Sequence, residues 1–282
     1  ITGNLLQWLE SYLKGRTQRV RVGEAFSPTL QVNAGCPQGS VLGPLLALMY
    51  LNEITNTLTN SHLLFADDIS LYAPHNSQNI DHVTQSLQGD LNAICTFARK
   101  WCINFNESKT IKQTFTTKRE IQSPHLTFGA QTILQVESHK HLGLTFSTDL
   151  RFHAHVNEVL QRVNRAISPL YSIAKFLPRD ILALTYATYI QPHFDYSDVV
   201  YDGHLTLHDS QRLQTFQNRA ARLIAGVPYR TPTNKLLQDL GWDSLATRRH
   251  IHRLTLYHKL MHADADSTLP PYITSALPST RR

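Results

Sequence analysis

The sequence predicts an α+β fold, and three observations predict it. In the first 150 residues, runs of strand length alternate with stretches of helical periodicity. A segment rich in proline and glycine, Gly35 to Pro44, separates a pair of strands from a helix. From Phe152 onward the pattern is helical almost to the end, punctuated by Pro178, Pro192, Pro228 and Pro232.

In chain order, Asn4 to Leu13 sets Leu5, Leu6, Trp8, Leu9, Tyr12 and Leu13 at helical spacing. Lys14-Gly15-Arg16 closes that helix with a glycine near the C-cap and cations that suit its dipole. Gln18 to Val22 alternates as a strand, Glu24 to Pro28 reads as a turn, and Thr29 to Ala34 completes a hairpin. Gly35-Cys36-Pro37-Gln38-Gly39-Ser40-Val41-Leu42-Gly43-Pro44 holds two prolines and three glycines, so it is neither strand nor helix interior. It is a rigid loop whose backbone can approach a ligand at Gly39, and Pro44 fits the first turn of the next helix. Leu45 to Leu51 is apolar on all sides, which predicts a buried helix. A rigid loop at the start of a buried helix is a natural holder of a phosphate or a sugar edge.

The rest is organised around His62 to Tyr72. Leu63 to Phe65 reads as one short buried strand and Ile69 to Tyr72 as another, with Ala66-Asp67-Asp68 as the turn. Such a turn holds two carboxylates rigidly with their oxygens in solvent. Carboxylate oxygens suit Mg²⁺, which keeps water and takes substrate phosphates as further ligands. The pair therefore reads as a metal site for phosphoryl or nucleotidyl transfer. Taken alone, a solvated turn accounts for it equally well, because aspartate side chains bond nearby backbone.

Asn76 to Trp101 predicts a long amphipathic helix with Ile80, Val83, Leu87, Leu91, Ile94 and Phe97 as its stripe. Cys95 and Cys102, one heptad apart, read as packing. Thr110 to Phe115, Leu126 to Phe128, Ile133 to Val136 and His141 to Phe146 are short strands, the last with Gly143, where backbone can lie close to another strand. Helices are expected over 152–176, 179–190, 206–225, 232–239 and 243–262. Arg162, Arg165, Lys175, Arg179, Arg212, Arg219 and Arg222 supply a basic face; Arg212, Arg219 and Arg222 fall at i, i+7 and i+10, on one side of their helix. The Pro/Ser/Thr-rich residues 268–282 are expected to form a flexible tail.

Composition narrows the function classes. No apolar run approaches the roughly 18 residues of a membrane span, and no charged-then-apolar signal peptide opens the chain. Three cysteines without a C-x-x-C spacing argue against a disulfide framework or a cysteine zinc site, and for a reducing, intracellular setting, nuclear or cytoplasmic. Residues 1–150 carry 11 Lys+Arg and 11 Asp+Glu, whereas residues 151–282 carry 16 and 10. A basic half beside a neutral one points to a polyanionic partner. His153/His155, His250/His252 and His258/His262 have pair spacings, but no acid or cysteine completes a zinc pattern beside them, so surface or nucleic-acid-facing histidines are expected. The chain opens on Ile1 and reaches helical spacing within three residues, which reads as a piece of a longer polyprotein.

Gly35 to Leu46, followed by Phe65-Ala66-Asp67-Asp68 and preceded by WLESYLKGRTQRV, resembles the reverse transcriptases of non-LTR (LINE-type) retrotransposons. The resemblance implies part of a right-hand polymerase palm over 1–150, a mixed antiparallel sheet with helices. A mostly α-helical thumb (151–205) and a helical post-thumb region (206–267) would follow. It also implies RNA-templated DNA synthesis with two Mg²⁺ ions, Asp67 being the direct ligand and Asp68 its partner. Ala66 would leave space for the primer terminus, while Pro37, Gln38, Gly39 and Ser40 would flank the template base or nucleotide sugar. Asn104 to Thr110 resembles the family's lysine-bearing loop, which would place Lys109 near the incoming triphosphate as proton donor to pyrophosphate; a solvent lysine closing a turn is the alternative. His141-Leu142-Gly143 resembles the element that grips the primer end, with His141 where the family has tyrosine. The implied partners are RNA template, DNA primer, deoxynucleoside triphosphates and the rest of the polyprotein: fingers, first palm strand and an upstream endonuclease. The resemblance also demands a third carboxylate, and neither Glu10 on the first helix nor Glu24 in a turn is a candidate. The isolated chain is therefore expected to be inactive, with an unpaired sheet edge and exposed apolar surface at its hairpin. The rival is a non-enzymatic nucleic-acid-binding remnant of a dead element, acting through phosphate contacts of the basic half.

Overall fold

The structure, a computed structural model, describes residues 2–118 and 122–262. The tail expected over 268–282 lies outside the described residues. The chain divides into two compact units, one of Ile1–Lys112 with Gln122–Leu134 and one of Gln113–Ile121 with Gln135–Arg282. The described strands pair only as two-stranded ladders, and long helices dominate the second unit, so the chain is α+β.

The first unit opens with α1 (Gly3–Leu13) and a hairpin of four short strands, β1 (Thr17–Gln18), β2 (Arg21–Val22), β3 (Ala25–Phe26) and β4 (Leu30–Gln31). Thr17 pairs with Gln31 and Arg21 with Phe26. The turn expected over Glu24 to Pro28 is thus a tighter one at Gly23-Glu24, because Ser27 exchanges bonds with Val20 at 2.9 Å and carries the ladder onward. Helix α2 (Leu42–Asn52) follows the proline-glycine loop. It is not the buried helix its sequence suggested. Among its residues only Gly43 is buried, and Leu45, Leu48 and Met49 are more than half exposed. An all-round apolar composition states that a helix needs cover, not that the same chain segment supplies it.

β5 (Ser61–Phe65) and β6 (Asp68–Tyr72) form an antiparallel hairpin on α3 (Ile80–Lys100). The α3 stripe is as expected: Val83, Leu87, Leu91, Ile94 and Phe97 are buried, with Leu64, Ile69 and Leu71 packed against them. The helix begins at Ile80 rather than Asn76. The side chain of Asn76 accepts from the N–H groups of Gln78 (2.9 Å) and Asn79 (3.0 Å), offering the backbone a turn in place of helix. The short strands β7 (Ile111–Lys112), β8 (Thr127–Phe128), β9 (Gln131–Thr132) and β10 (Leu134–Gln135) lie later in the chain, and Phe128 joins the α3 core.

In the second unit, β11 (Ser138–His141) and β12 (Leu144–Ser147) form a hairpin whose tip is Leu142-Gly143. Helices α4 (His153–Ile173), α5 (Arg179–Thr185), α6 (Gln191–Asp195), α7 (Asp198–Tyr201), α8 (Leu207–Ala225), α9 (Thr233–Asp239) and α10 (Leu245–Met261) complete it. Pro192 stands in the first turn of α6 rather than ending a helix, so the helical run expected over 179–190 continues to Asp195. Val156, Val163, Tyr186, Ile190, Leu213 and Ala220 lie at the centre of a core drawn from α4, α6, α8 and the turn after α5.

Candidate active site

Register places the two aspartates. Phe65 pairs with Asp68, so the connection is the two residues Ala66-Asp67, one shorter than the sequence suggested. Ala66 takes φ 54°, a left-handed conformation that costs a non-glycine residue on the order of 1 kcal/mol. Side chains alternate along a strand. Leu64, Ile69 and Leu71 face the α3 core, which leaves Leu63, Phe65, Asp68 and Tyr72 on the opposite face. Phe65 and Leu63 are each 63 % exposed, so β5 is half-buried by alternation rather than buried throughout. Asp67 and Asp68 are both exposed, and neither carboxylate has a hydrogen bond or ion pair among the described residues. Two adjacent, unspent carboxylates on a tight turn are a donor set for a hard cation.

The hairpin is seated by a residue that sequence reading missed. Asp90 of α3 is 2 % exposed, and its carboxylate accepts from Thr59 N (2.9 Å), Thr59 Oγ1 (2.8 Å), Asn60 N (2.8 Å) and Asn60 Nδ2 (2.8 Å), immediately before β5. Burial by itself would raise its pKa, but these four bonds outweigh burial and hold it below the ordinary carboxylate value.

The proline-glycine loop is internally locked. Ser40 Oγ donates to Pro37 O (2.8 Å) and accepts from Gly43 N (3.0 Å), so its hydroxyl organises the loop. A Cβ on Gly43 would lie 2.9 Å from that same oxygen. Arg16, also missed, donates to Leu13 O (2.9 Å) and, through Nη2, to the carbonyls of Ala34 and Gly35, tying the end of α1 to the start of the loop. Gln38 and Gly39 are left exposed; Gly39 has φ 80°, and nothing lies within 4 Å of where its Cβ would be. The loop leads through α2 to Ile54, which is fully buried in the α3 core that also seats the hairpin. Lys109 is exposed at the end of a 3₁₀ turn, Glu107–Lys109, capped by the Asn106 side chain.

In the second unit, Gly143 has φ 83°, and a Cβ there would meet the Tyr196 ring at 3.0 Å. Tyr196 donates to Leu142 O at 2.7 Å. The space left by Gly143 is thus filled by a tyrosine of the same unit. The expected basic residues divide. Arg162 is held by Glu158 at 2.9 Å, and Arg212 by Asp209 at 3.1 Å and Asn157 at 2.7 Å. Arg165, Lys175 and Arg219 are exposed; Lys175 lies over the Phe176 ring, Arg219 over Phe216 and Arg222 over Tyr229.

The histidines do not converge on a metal, and one of them is not a surface group. His155 is 1 % exposed and accepts the Thr145 N–H on Nδ1 at 3.3 Å. His153 pairs with the buried Asp209, and His252 with the buried Asp198 at 2.7 Å. Asp195, Asp198 and His252 bring ligating atoms within 4.8 Å of one another. Asp195, however, is held by both Arg248 Nε (3.1 Å) and Arg248 Nη2 (2.6 Å), so this group is an ion-pair network fastening α10 to α6 and α7.

Comparison with known proteins agrees with the hairpin and loop. The family described as "Reverse transcriptase (RNA-dependent DNA polymerase)" matches residues 2–146. The chain is 30% identical over 246 residues to the "Probable RNA-directed DNA polymerase from transposon X-element" of Drosophila melanogaster, covering 82% of this chain and 26% of that protein. It is 27% identical over 274 residues to the corresponding transposon BS protein of the same organism, covering 90% and 30%. The "RNA-directed DNA polymerase from mobile element jockey" of D. melanogaster is 26% identical over 253 residues, covering 85% and 27%. The chain therefore spans less than a third of the length of these relatives. With a family match over half its length and these retrotransposon polymerases among its relatives, the chain belongs to the reverse transcriptase family of non-LTR, LINE-type retrotransposons.

Proposed function

We propose that this chain contributes the Asp67-Asp68 half of the metal site in an RNA-directed DNA polymerase. One observation carries the reading: two exposed carboxylates with no partner among the described residues stand next to each other at the tight end of a hairpin whose opposite face, Leu64, Ile69 and Leu71, packs on the α3 core. The donor set fits Mg²⁺, a hard cation that keeps waters and shares substrate phosphates. When bound, Mg²⁺ lowers the pKa of the primer 3′-hydroxyl and offsets charge on the transferred phosphoryl group. Asp67 holds the ion directly and Asp68 is its partner. Ala66, with only a methyl group, leaves room for the primer end. Gln38 and Gly39 border the template base or nucleotide sugar, on a loop shaped by Pro37 and Ser40. Lys109 donates a proton to the leaving pyrophosphate. Gly143 marks the primer side, and Arg165, Lys175, Arg219 and Arg222 hold template and primer phosphates. In this reading 1–150 is part of the palm, 151–205 the thumb and 206–267 the post-thumb region, working inside the cell with the rest of a polyprotein. No helix among the described residues is long and apolar enough to cross a membrane.

Primer extension on an RNA template with Mg²⁺ tests the reading. In the full-length parent, Asp67→Ala reduces extension at least about a hundredfold and leaves template binding intact. Unchanged synthesis removes Asp67 from the site. The chain assayed alone incorporates nothing above background, for want of a third carboxylate; incorporation there overturns the view that the site is completed elsewhere.

A further inference from the structure

The second unit contains an open pocket of about 370 Å³ whose wall includes Gly143, His155, Arg162, Pro192, His193 and Tyr196. Its chemistry is set by His155. The Nδ1 of this 1 %-exposed ring accepts the Thr145 N–H, so the neutral ring carries its proton on Nε2. That Nε2 is buried and has no hydrogen-bond partner among the described residues. Buried donors in folded proteins are almost always satisfied, and an orphan in a pocket wall points to an acceptor from outside the chain.

The groups around the ring favour an anion. Arg162 stands beside it, with one N–H on Glu158 at 2.9 Å. Glu158 is shared: Lys140 reaches it at 3.2 Å and the Thr145 hydroxyl at 2.5 Å. Two cations on one carboxylate leave net positive charge at the pocket. His193 contributes a second imidazole. Burial holds both rings below the usual imidazole range; Arg162 pushes the same way for each, joined at His155 by Lys140 and opposed there by Glu158. Tyr196 has donated its hydroxyl to Leu142 O, so it and Pro192 serve as apolar wall.

We propose that this pocket is a phosphate-binding site, with His155 Nε2 and the Arg162 guanidinium as its donors. A phosphate oxygen accepts from an imidazole and a guanidinium at once, and its charge matches the local excess. The phosphate comes either from a nucleic-acid backbone or from a free phosphate or nucleotide. The proposal does not rest on the polymerase reading, since the pocket belongs to a different unit from Asp67 and Asp68.

The test is NMR of the imidazole ¹⁵N signals in the full chain, with His155 identified by its contact to the Thr145 amide. One arm titrates inorganic phosphate and the other a short single-stranded DNA. Movement of His155 Nε2 and an upward move of its titration midpoint with phosphate alone assign a free phosphate or nucleotide. The same changes with DNA and not with phosphate assign a backbone phosphodiester. In Arg162→Gln the responding arm weakens roughly tenfold, as expected for one lost charge-assisted bond. Silence of the His155 signals in both arms overturns the site and leaves a bound water as the partner of Nε2. An Arg162→Gln response equal to that of the unmodified chain overturns Arg162 as donor. The imidazole signals report the pocket directly and Asp67→Ala extension reports the metal site, so the two proposals fail separately.

Discussion

The two exposed aspartates of the β5–β6 turn and three buried ones, Asp90 of the first unit with Asp198 and Asp209 of the second, have opposite fates. Asp209, at the start of α8, is fully buried and holds Thr206, Arg212 and His153; Asp198 is buried against His252; Asp90, under the hairpin, has four donors. Asp67 and Asp68 hold nothing among the described residues, at a turn whose Ala66 is itself in an unfavourable conformation. Buried carboxylates require partners, because desolvating an unpaired charge costs several kcal/mol. Exposed ones require none, and their chemistry stays available. The difference separates residues the fold uses from residues left for a ligand.

That contrast can be broken by substitution. Asp209→Ala leaves Arg212 and His153 without their anion and removes a partner of the Thr206 cap; both cationic partners can turn to solvent, so thermal or urea unfolding should show a loss of about 2–3 kcal/mol. A loss below about 1 kcal/mol would mean that the network is solvated. Asp90→Ala should cost about 2–3 kcal/mol by freeing four donors beside the hairpin. Its pH dependence sharpens the point. The folded pKa of Asp90 lies below its ordinary value of 3.8, so its contribution is present above that pH and is lost as the pH falls through the folded value. Unfolding midpoints measured from pH 5 downward should fall more steeply in the unmodified chain than in Asp90→Asn. Gly143→Ala should cost about 1–2 kcal/mol, from the positive φ and the contact with Tyr196. Asp67→Asn should stay within about 0.5 kcal/mol of the unmodified chain by the same unfolding measurement. A large destabilisation there would show the turn aspartate to be structural.

Much of the fold was legible because it is local. The α3 stripe follows from 3.6-residue spacing, and α8 runs from the Thr206 cap to Gly226 close to the expected 206–225. The hairpin around Asp67-Asp68 followed from two apolar runs flanking a polar turn, with apolar surface exposed at it as expected, but Leu63 to Phe65 read as a buried strand and the structure buries only Leu64 of the three in part. The partners of Asp90 were not legible, since Thr59 and Asn60 stand some 30 residues earlier in the chain. Arg16 read as a helix-end cation, and only folding shows it gripping the loop that begins with Gly35. His155 read as half of a spaced histidine pair, whereas its ring is buried against β12.

By itself, then, the sequence determined where helices and turns form, which two carboxylates share a bend, and that the later half is basic; each depends on neighbours within a few positions. Only the tertiary structure decided which charged side chains are consumed by internal partners, why α2 lies exposed, and that a buried imidazole lines a pocket with a donor to spare. Those outcomes depend on long-range contacts, and the free energy of a charge or an apolar face is set by what closes over it.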